Sequence, residues 1–552
     1  MGCNVSKTAG PNQVGDIDSE RREGARSGSS VSLTNWSPDA EKASSSSSAS
    51  VADSITLIHF NDVYNIEERS NGKEPIGGAA RFKSQIDSLR HLEPLILFSG
   101  DALNPSNISI VTEGRQMVPI LKAIGVHAAV YGNHDFDFGV EHLATLAKEM
   151  EFPWLMSNAR LHSTGKRLAD GLEKLVIPWR GRKIGLLGLI EWEWIETLAT
   201  LEPQDVDYTD FVETAKKLVP ELQQEGCDLI IALTHMRDPN DLRLAREVPQ
   251  IHLILGGHDH HYLKQWEGDV LMLKSGSDFR EFSELTVSFP DTPTSRPKVS
   301  VKRHDITSVI APDEDVLKIV DHFQGRLKAG REEEIGYIHC DLEGRFDCLR
   351  TQECNLGNLV TDIMRKVTRA DVALLNSGTL RSDTVHDAGV FRRGDLMSIL
   401  PMVDAVSVLE VKGSQLIQAL ENGVSQYPKK EGRFPQVSGI QFSFDESQPS
   451  GSRVVPDSVL VRGEQLQLNK SYKLAAKGYI AQGRDGYDVF KECKVLVSEE
   501  EGPILSVIVQ NYFQACAGGE DCVDTNTSSI YLTENGDRRI APQVEGRIKV
   551  IH

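Results

Sequence analysis

The chain has 552 residues, of which 39% are hydrophobic and 25% charged, with a formal net charge of -20. That length exceeds what one hydrophobic core usually supports and predicts two or three domains with tails, while the composition is ordinary for a soluble globular protein. The acidic balance excludes broad electrostatic capture of nucleic acid, because most of the surface would repel a phosphate backbone, so an anionic substrate would need local cations from metal ions or a few arginines.

No run approaches the roughly 20 apolar residues of a membrane-spanning helix, and the first residues lack the apolar core of a secretory signal. The polypeptide alone is therefore expected in the cytosol with reduced thiols. Cys348 with Cys354, and Cys516 with Cys522, are close enough in sequence to bridge only in an oxidising compartment. Asn-X-Ser/Thr matches at Asn4, Asn35, Asn107, Asn469 and Asn526 are read as chance.

The first stretch is Met1-Gly2-Cys3-Asn4-Val5-Ser6-Lys7. Removal of Met1 would expose Gly2 for N-myristoylation, with Ser6 at the preferred position and Cys3 placed for palmitoylation. One myristoyl chain attaches only marginally, so a second signal is needed. Cys3 supplies it; a polybasic patch does not, since residues 1–53 hold five Lys/Arg against seven Asp/Glu. The expectation is a disordered, Ser-rich tether over 1–53, holding the protein to the cytoplasmic face of a membrane.

Folded character begins with Ile55 to Phe60, an apolar run with strand character that leads into Asn61-Asp62-Val63-Tyr64. The same arrangement recurs. Pro94 to Phe98 leads into Gly100-Asp101, His127 to Tyr131 into Gly132-Asn133-His134-Asp135-Phe136-Asp137, Leu229 to Leu233 into His235, and Ile251 to Leu255 into Gly256-Gly257-His258-Asp259-His260. Intervening stretches, 78–89, 114–123 and 210–223, have helical length and composition, which predicts an α/β domain with its chemistry in loops at strand ends. A single His or Asp at a strand end is more often a satisfied polar residue, but five coincident cases argue otherwise. Carboxylates, imidazoles and an amide without clustered thiols suit hard or borderline ions such as Mn²⁺, Zn²⁺, Mg²⁺ or Fe²⁺. This many donors can fill two sites, an arrangement suited to displacement at phosphorus.

Asn61-Asp62, Gly100-Asp101, Gly132-Asn133-His134-Asp135, His235 and Gly257-His258-Asp259-His260, in this order, resemble the calcineurin-like metallophosphoesterases, and in particular the 5′-nucleotidase family, over roughly residues 54 to 545. The resemblance implies an α/β fold: an N-terminal four-layer α/β/β/α metallophosphoesterase sandwich (54–308), a linker helix (309–335) and a second α+β/α/β substrate-binding domain (336–552). It implies two divalent ions (Mn, Zn, Mg, Co or Fe), one held by Asp62, Asp101 and His260, the other by Asp101, Asn133, His235 and His258. His134 would contact the phosphate and stabilise the departing oxygen, oriented by Asp137; Asp135 would act on the site or only shape the turn.

One departure concerns the first metal. The family reads Asp-X-His where this chain has Asp62-Val63-Tyr64, and a neutral phenol is a poor ligand. Tyr64 would leave a position filled by water, bind as phenolate to a strongly acidic ion such as Fe³⁺, or point away. His59, inside its strand, reads as structural.

Asp313 to Lys328 has helical spacing of Val316, Ile319, Val320 and Phe323 and reads as the interdomain linker, which in the family swings the second domain over the metals. In the C-terminal half, Glu353 to Asn358 opens a helix, the apolar run Val372 to Leu375 ends in Asn376, and Arg350, Arg381, Met402, Tyr479, Arg484 and Asp485 fall on the family's substrate-binding segments. Arginine there engages phosphate or carboxylate oxygens in pairs. Met402 and Tyr479 stand where two phenylalanines usually stack a base; Tyr479 keeps an aromatic face, while Met402 is only an apolar wall. Asp485 would bind a sugar hydroxyl or stabilise its turn. The expected activity is dinuclear-metal-dependent hydrolysis of phosphate monoesters, on nucleotides or on sugar or glycerate phosphates with an extra anionic group. A membrane-tethered, non-catalytic ligand sensor is the competing class.

Overall fold

The structure is a computed structural model that describes residues 52–70, 74–196, 198, 200–290, 295–518, 530–532 and 538–551. Gly2 and Cys3, with the tether expected around them, lie outside the described residues.

The strands β1 (Ser54–Phe60), β2 (Leu95–Phe98), β3 (Ala128–Val130), β4 (Trp154–Leu155), β5 (Lys174–Trp179), β6 (Arg182–Ile190), β7 (Leu229–His235), β8 (Leu253–Gly256), β9 (Tyr262–Glu267), β10 (Val270–Ser275), β11 (Glu281–Ser288) and β12 (Lys298–Asp305) form two six-stranded sheets. Their orders are β12-β11-β1-β2-β3-β4 and β9-β10-β8-β7-β6-β5. Strand β7 shows why two sheets and two helical layers result. Successive side chains leave a strand on opposite faces. Leu229, Ile231 and Leu233 enter the core between the sheets, whereas Ile230 and Ala232 pack outward with the helical layer. That outer layer is α4 (Phe211–Gln224) and α5 (Asp238–Glu247); the opposite one is α1 (Ala79–Ser88), α2 (Met117–Ile124) and α3 (Val140–Glu149). Both faces of the parallel central strands are buried, so these strands read as unbroken apolar runs. The four-layer α/β/β/α expectation is met.

Helix α6 (Glu314–Ala329) starts where Asp313 accepts from the backbone N–H groups of Asp315 and Val316, a capping arrangement that meets two unpaired donors. Its Val316, Val320 and Phe323 are buried in the first domain's core. The connection is therefore packed against the first domain along one face.

The second domain is centred on a five-stranded sheet. In chain order come α7 (Asn355–Val367), β13 (Val372–Asn376), β14 (Val406–Lys412), α8 (Gly413–Val424), β15 (Pro435–Ser438), β16 (Ser471–Lys477), β17 (Lys494–Val497) and α9 (Leu505–Gly518), with strand order β15-β13-β16-β14-β17. Ala373 and Leu375 face a core shared with α7 and α9, while Val372 and Leu374 face one shared with α8. Cys348 and Cys354 are both free thiols. Among the described residues no helix is long and apolar enough to cross a membrane.

Candidate metal centre

The ends of β1, β2, β3, β7 and β8 converge, and each delivers a donor: Asp62, Asp101, Asn133, His235 and His258, all between 0% and 2% exposed. The loops that carry them bend sharply. Asp62, Asp101, His258 and His260 all have positive φ, from 52° to 84°, a conformation that costs roughly 1–2 kcal/mol for a side-chain-bearing residue. Such strain persists only where surrounding contacts enforce it, and it collects at working sites. Close approach does the rest. A Cβ on Gly132 would lie 2.1 Å from Asp101 Oδ1, and one on Gly257 2.4 Å from the Ser99 carbonyl, so only glycine lets the loops meet.

Asp135 is the splint of this arrangement: its carboxylate accepts from the backbone N–H groups of Asp101, Ala102, Leu103 and Gly132, tying the second loop to the third. Burial, then the charge of Asp101, push its carboxyl up to about 6. On the far side, buried Lys274 contacts Asp259, lies 2.9 Å from Asp238 and 3.3 Å from Asp241, and donates to the Met236 carbonyl at 2.8 Å. It fastens together the loops that carry His235, His258 and His260. His59 is fully buried and structural, bonded to Ser275 Oγ at 2.8 Å and Ser99 Oγ at 3.0 Å, and burial drops its pKa to about 3.

Donor atoms that share an ion at roughly 2.0–2.2 Å stand about 3 Å apart. Asp101 Oδ2 and His235 Nε2 are 3.3 Å apart, His235 Nε2 and Asn133 Oδ1 3.2 Å, and Asn133 Oδ1 and His258 Nδ1 3.1 Å. On the other side of Asp101, His260 Nε2 stands 3.2 Å from Asp62 Oδ1. Asp62, Asp101 and His235 together present ligand atoms within 4.8 Å of one another. Buried carboxylates and imidazoles of this density fit a cation, which offsets the cost of removing their charges from water.

Tyr64 does not point away. Its ring is 6% exposed, and its hydroxyl lies 3.0 Å from Asp62 Oδ1, 3.2 Å from Asp101 Oδ2 and 2.7 Å from His260 Nε2. The phenol oxygen thus sits among these three donor atoms, where the sequence reading favoured water.

His134 Nδ1 is 2.9 Å from Asp137 Oδ2, which also accepts from Asn104 Nδ2. Burial opposes a charge on His134, yet Asp137 and Asp101 outweigh it and raise the imidazole to about 9. Both carboxylates thereby favour the protonated imidazole at neutral pH.

The C-terminal half reaches this centre. Asn133 Nδ2 donates to the Glu500 carbonyl at 3.4 Å, and Arg237 joins Glu191 at 2.9 Å and Glu193 at 2.7 Å to Glu501 at 3.1 Å. Glu191, His258 and Glu501 form a second group of buried atoms within 4.8 Å of one another. Burial, against the charge of Arg237, moves the Glu191 carboxyl up to about 7. Arg237, Glu191, Glu501, Asn104 and Lys274 escaped sequence reading; a lone charged residue carries no periodic or spacing signal.

Among the substrate-segment residues, Asp485 is held by Asn376 Nδ2 at 2.9 Å and Tyr479 Oη at 3.1 Å. Asn376 Oδ1 accepts from Thr379 at 2.8 Å. The Arg350 guanidinium lies 3.9 Å over the Phe346 ring, and the charge of Arg381 acts on both Arg350 and Tyr479. Arg484 and Arg381 are exposed. Met402 and Tyr479 are 57% and 43% exposed.

Residues 55–262 match the family model of the calcineurin-like phosphoesterase, and 334–492 that of the 5′-nucleotidase C-terminal domain. A snake venom 5′-nucleotidase of Gloydius brevicauda is 29% identical over 79% of this chain and 82% of its own length. The trifunctional nucleotide phosphoesterase protein YfkN of Bacillus subtilis is 25% identical over 90% of this chain, which spans 35% of that protein. The crystal structure of a 5′-nucleotidase precursor from Thermus thermophilus superposes with a TM-score of 0.52 at 27% identity, covering 90% of this chain and 99% of that one. Fold and site define a metallophosphoesterase joined to a 5′-nucleotidase C-terminal domain. The chain belongs to the 5′-nucleotidase family, and with it to the phosphoric monoester hydrolases.

Proposed function

We propose that the chain hydrolyses nucleoside monophosphates at a centre of two metal ions, bound one by Asp62, Asp101 and His260 and the other by Asp101, Asn133, His235 and His258. The observation that carries this reading is the spacing of those donors beside a His134–Asp137 pair, 2.9 Å apart, with a charged imidazole. Metal ions in that cage would polarise the phosphoryl group and neutralise its charge. His134, its Nδ1 engaged by Asp137, presents Nε2–H to a phosphoryl or leaving-group oxygen. Asn104 and Asp137 fix the ring, so the donor is in place before substrate arrives. Arg350 and Arg381 take anionic oxygens of the substrate, and Tyr479 offers its exposed face to a base. The names of the relatives support nucleotides as substrates. The experiment is phosphate release from AMP with Mn²⁺, Co²⁺ or Mg²⁺, and with chelator. Chelator is expected to abolish release and lower the melting temperature; release that survives removal of all bound metal overturns the reading.

A second reading, phosphorylated sugar acids as substrates, is favoured by the exposed, non-aromatic Met402 and by the exposed cation Arg484. A clear preference for AMP over sugar and glycerate phosphates in a substrate panel would exclude it. We also propose attachment to the cytoplasmic leaflet through acyl chains on Gly2 and Cys3, tested by a Gly2→Ala, Cys3→Ser variant; membrane sedimentation of that variant would refute it.

A further inference from the structure

We infer that Tyr64 is itself a metal ligand, its phenol oxygen completing the first site and making it selective for a trivalent ion such as ferric iron while the second site keeps a divalent one. This deepens the hydrolase reading and rests on the same centre.

The inference starts from position. Tyr64 Oη lies at 3.0 Å from Asp62 Oδ1, 3.2 Å from Asp101 Oδ2 and 2.7 Å from His260 Nε2, and the last also stands 3.2 Å from Asp62 Oδ1. These are the separations of donor atoms that face one ion. The Tyr64 hydroxyl thus lies within reach of three of the donor atoms assigned to the first ion.

The residue is also fixed there. Its backbone N–H donates to Asp278 Oδ1 at 3.2 Å, and Asn65 adds two bonds to the same oxygen, at 3.0 Å from its backbone and 3.1 Å from its side chain. Asp278 in turn donates its own N–H to the Asp62 carbonyl at 2.7 Å and pairs with Arg69 at 2.6 Å. The ring packs edge-on to His260 with centroids 5.3 Å apart, and to His134 at 6.3 Å. Those bonds fix the backbone from which the phenol projects, and swinging the ring out would lose its edge contacts and expose a buried side chain.

Donor chemistry then separates the two sites. The second offers one shared carboxylate, one amide oxygen and two imidazoles, a set suited to borderline divalent ions. The first offers two carboxylates, a phenol oxygen and one imidazole. An ion bound there displaces the phenolic proton to solvent and meets three anionic oxygens, which favours a small, hard, highly charged cation.

The test loads metal-free protein with ferric iron and then Mn²⁺, and reads metal content, visible absorption and resonance Raman scattering. Wild type is expected to hold one iron and one manganese per chain and to show a phenolate-to-iron charge-transfer band with tyrosinate vibrations. Tyr64→Phe should lose both signals with its circular dichroism unchanged and the Mn²⁺ site still filled, and Tyr64→His should instead take two divalent ions. Iron bound without the band, a band that survives Tyr64→Phe, or a single ion per wild-type chain would overturn the assignment. A colourless wild type that holds two divalent ions and still releases phosphate would overturn the Tyr64 assignment and leave the hydrolase reading standing. A coloured protein inert on every phosphate monoester would do the reverse.

Discussion

His134 has its charge set by neighbours three residues away in sequence and thirty-three away in sequence but adjacent in space, Asp137 and Asp101. Its folded pKa near 9 lies above the ordinary value of 6.5, so the imidazole is charged through neutral pH and loses its proton as pH rises through 9. Activity is expected to hold up to that point and fall beyond it, measured as kcat against pH. Asp137→Asn removes the main partner, so the alkaline limb should move down toward the ordinary histidine range. His134→Ala should lower kcat by about 10²–10⁴-fold, the usual contribution of a positioned proton donor, with KM and metal content nearly unchanged. The pairing of His134 with Asp137 was legible through the family resemblance, and the 2.9 Å contact agrees with it. The contribution of Asn104, which donates to Asp137, was not.

At the scale of elements, strands and helices fell where apolar runs and helical spacing placed them. Expected helices at 78–89, 114–123 and 210–223 are Ala79–Ser88, Met117–Ile124 and Phe211–Gln224. The reason is that buried parallel strands need unbroken apolar sequence and one-sided helices need periodic sequence. What held the strand-end loops was invisible, because it depends on single polar residues. Lys274 is 1% exposed among Asp238, Asp241 and Asp259, which with its own burial and charge makes it a counter-ion no pattern announces. Lys274→Met leaves those carboxylates uncompensated and is expected to cost about 3–5 kcal/mol, as breaking buried ion pairs does. Denaturant titration measures it; a loss below about 1 kcal/mol would mean the cluster is neutralised otherwise.

For the whole molecule, the two halves are tied by buried polar contacts as well as by α6. Arg393, 1% exposed, donates to the Ile110 carbonyl across the domain boundary and to Gln510 at 2.7 Å, and pairs with Glu333 at 3.0 Å. Arg393→Met strands those acceptors and is expected to cost about 2–5 kcal/mol, from about 1–3 kcal/mol per unsatisfied buried group. Calorimetry should then resolve two unfolding transitions in place of one. Asn511, whose side chain donates to the Asp137 carbonyl at 3.0 Å, adds a second tie beside the centre itself.

The sequence by itself determined an α/β domain with candidate metal ligands at five strand ends, and its resemblance to the 5′-nucleotidases supplied the reaction class and the four-layer architecture. It left three fates open for Tyr64 and made Asp485 either a sugar ligand or a turn residue. Only the tertiary structure decided that Tyr64 Oη meets Asp62, Asp101 and His260, the last 196 positions from Tyr64 in sequence, and that Asp485 is already engaged by Asn376 and Tyr479. Local periodicity reports what a residue's own element buries. Where a side chain of one loop ends among the side chains of others is set by how the sheets stack, and no short stretch of sequence carries that.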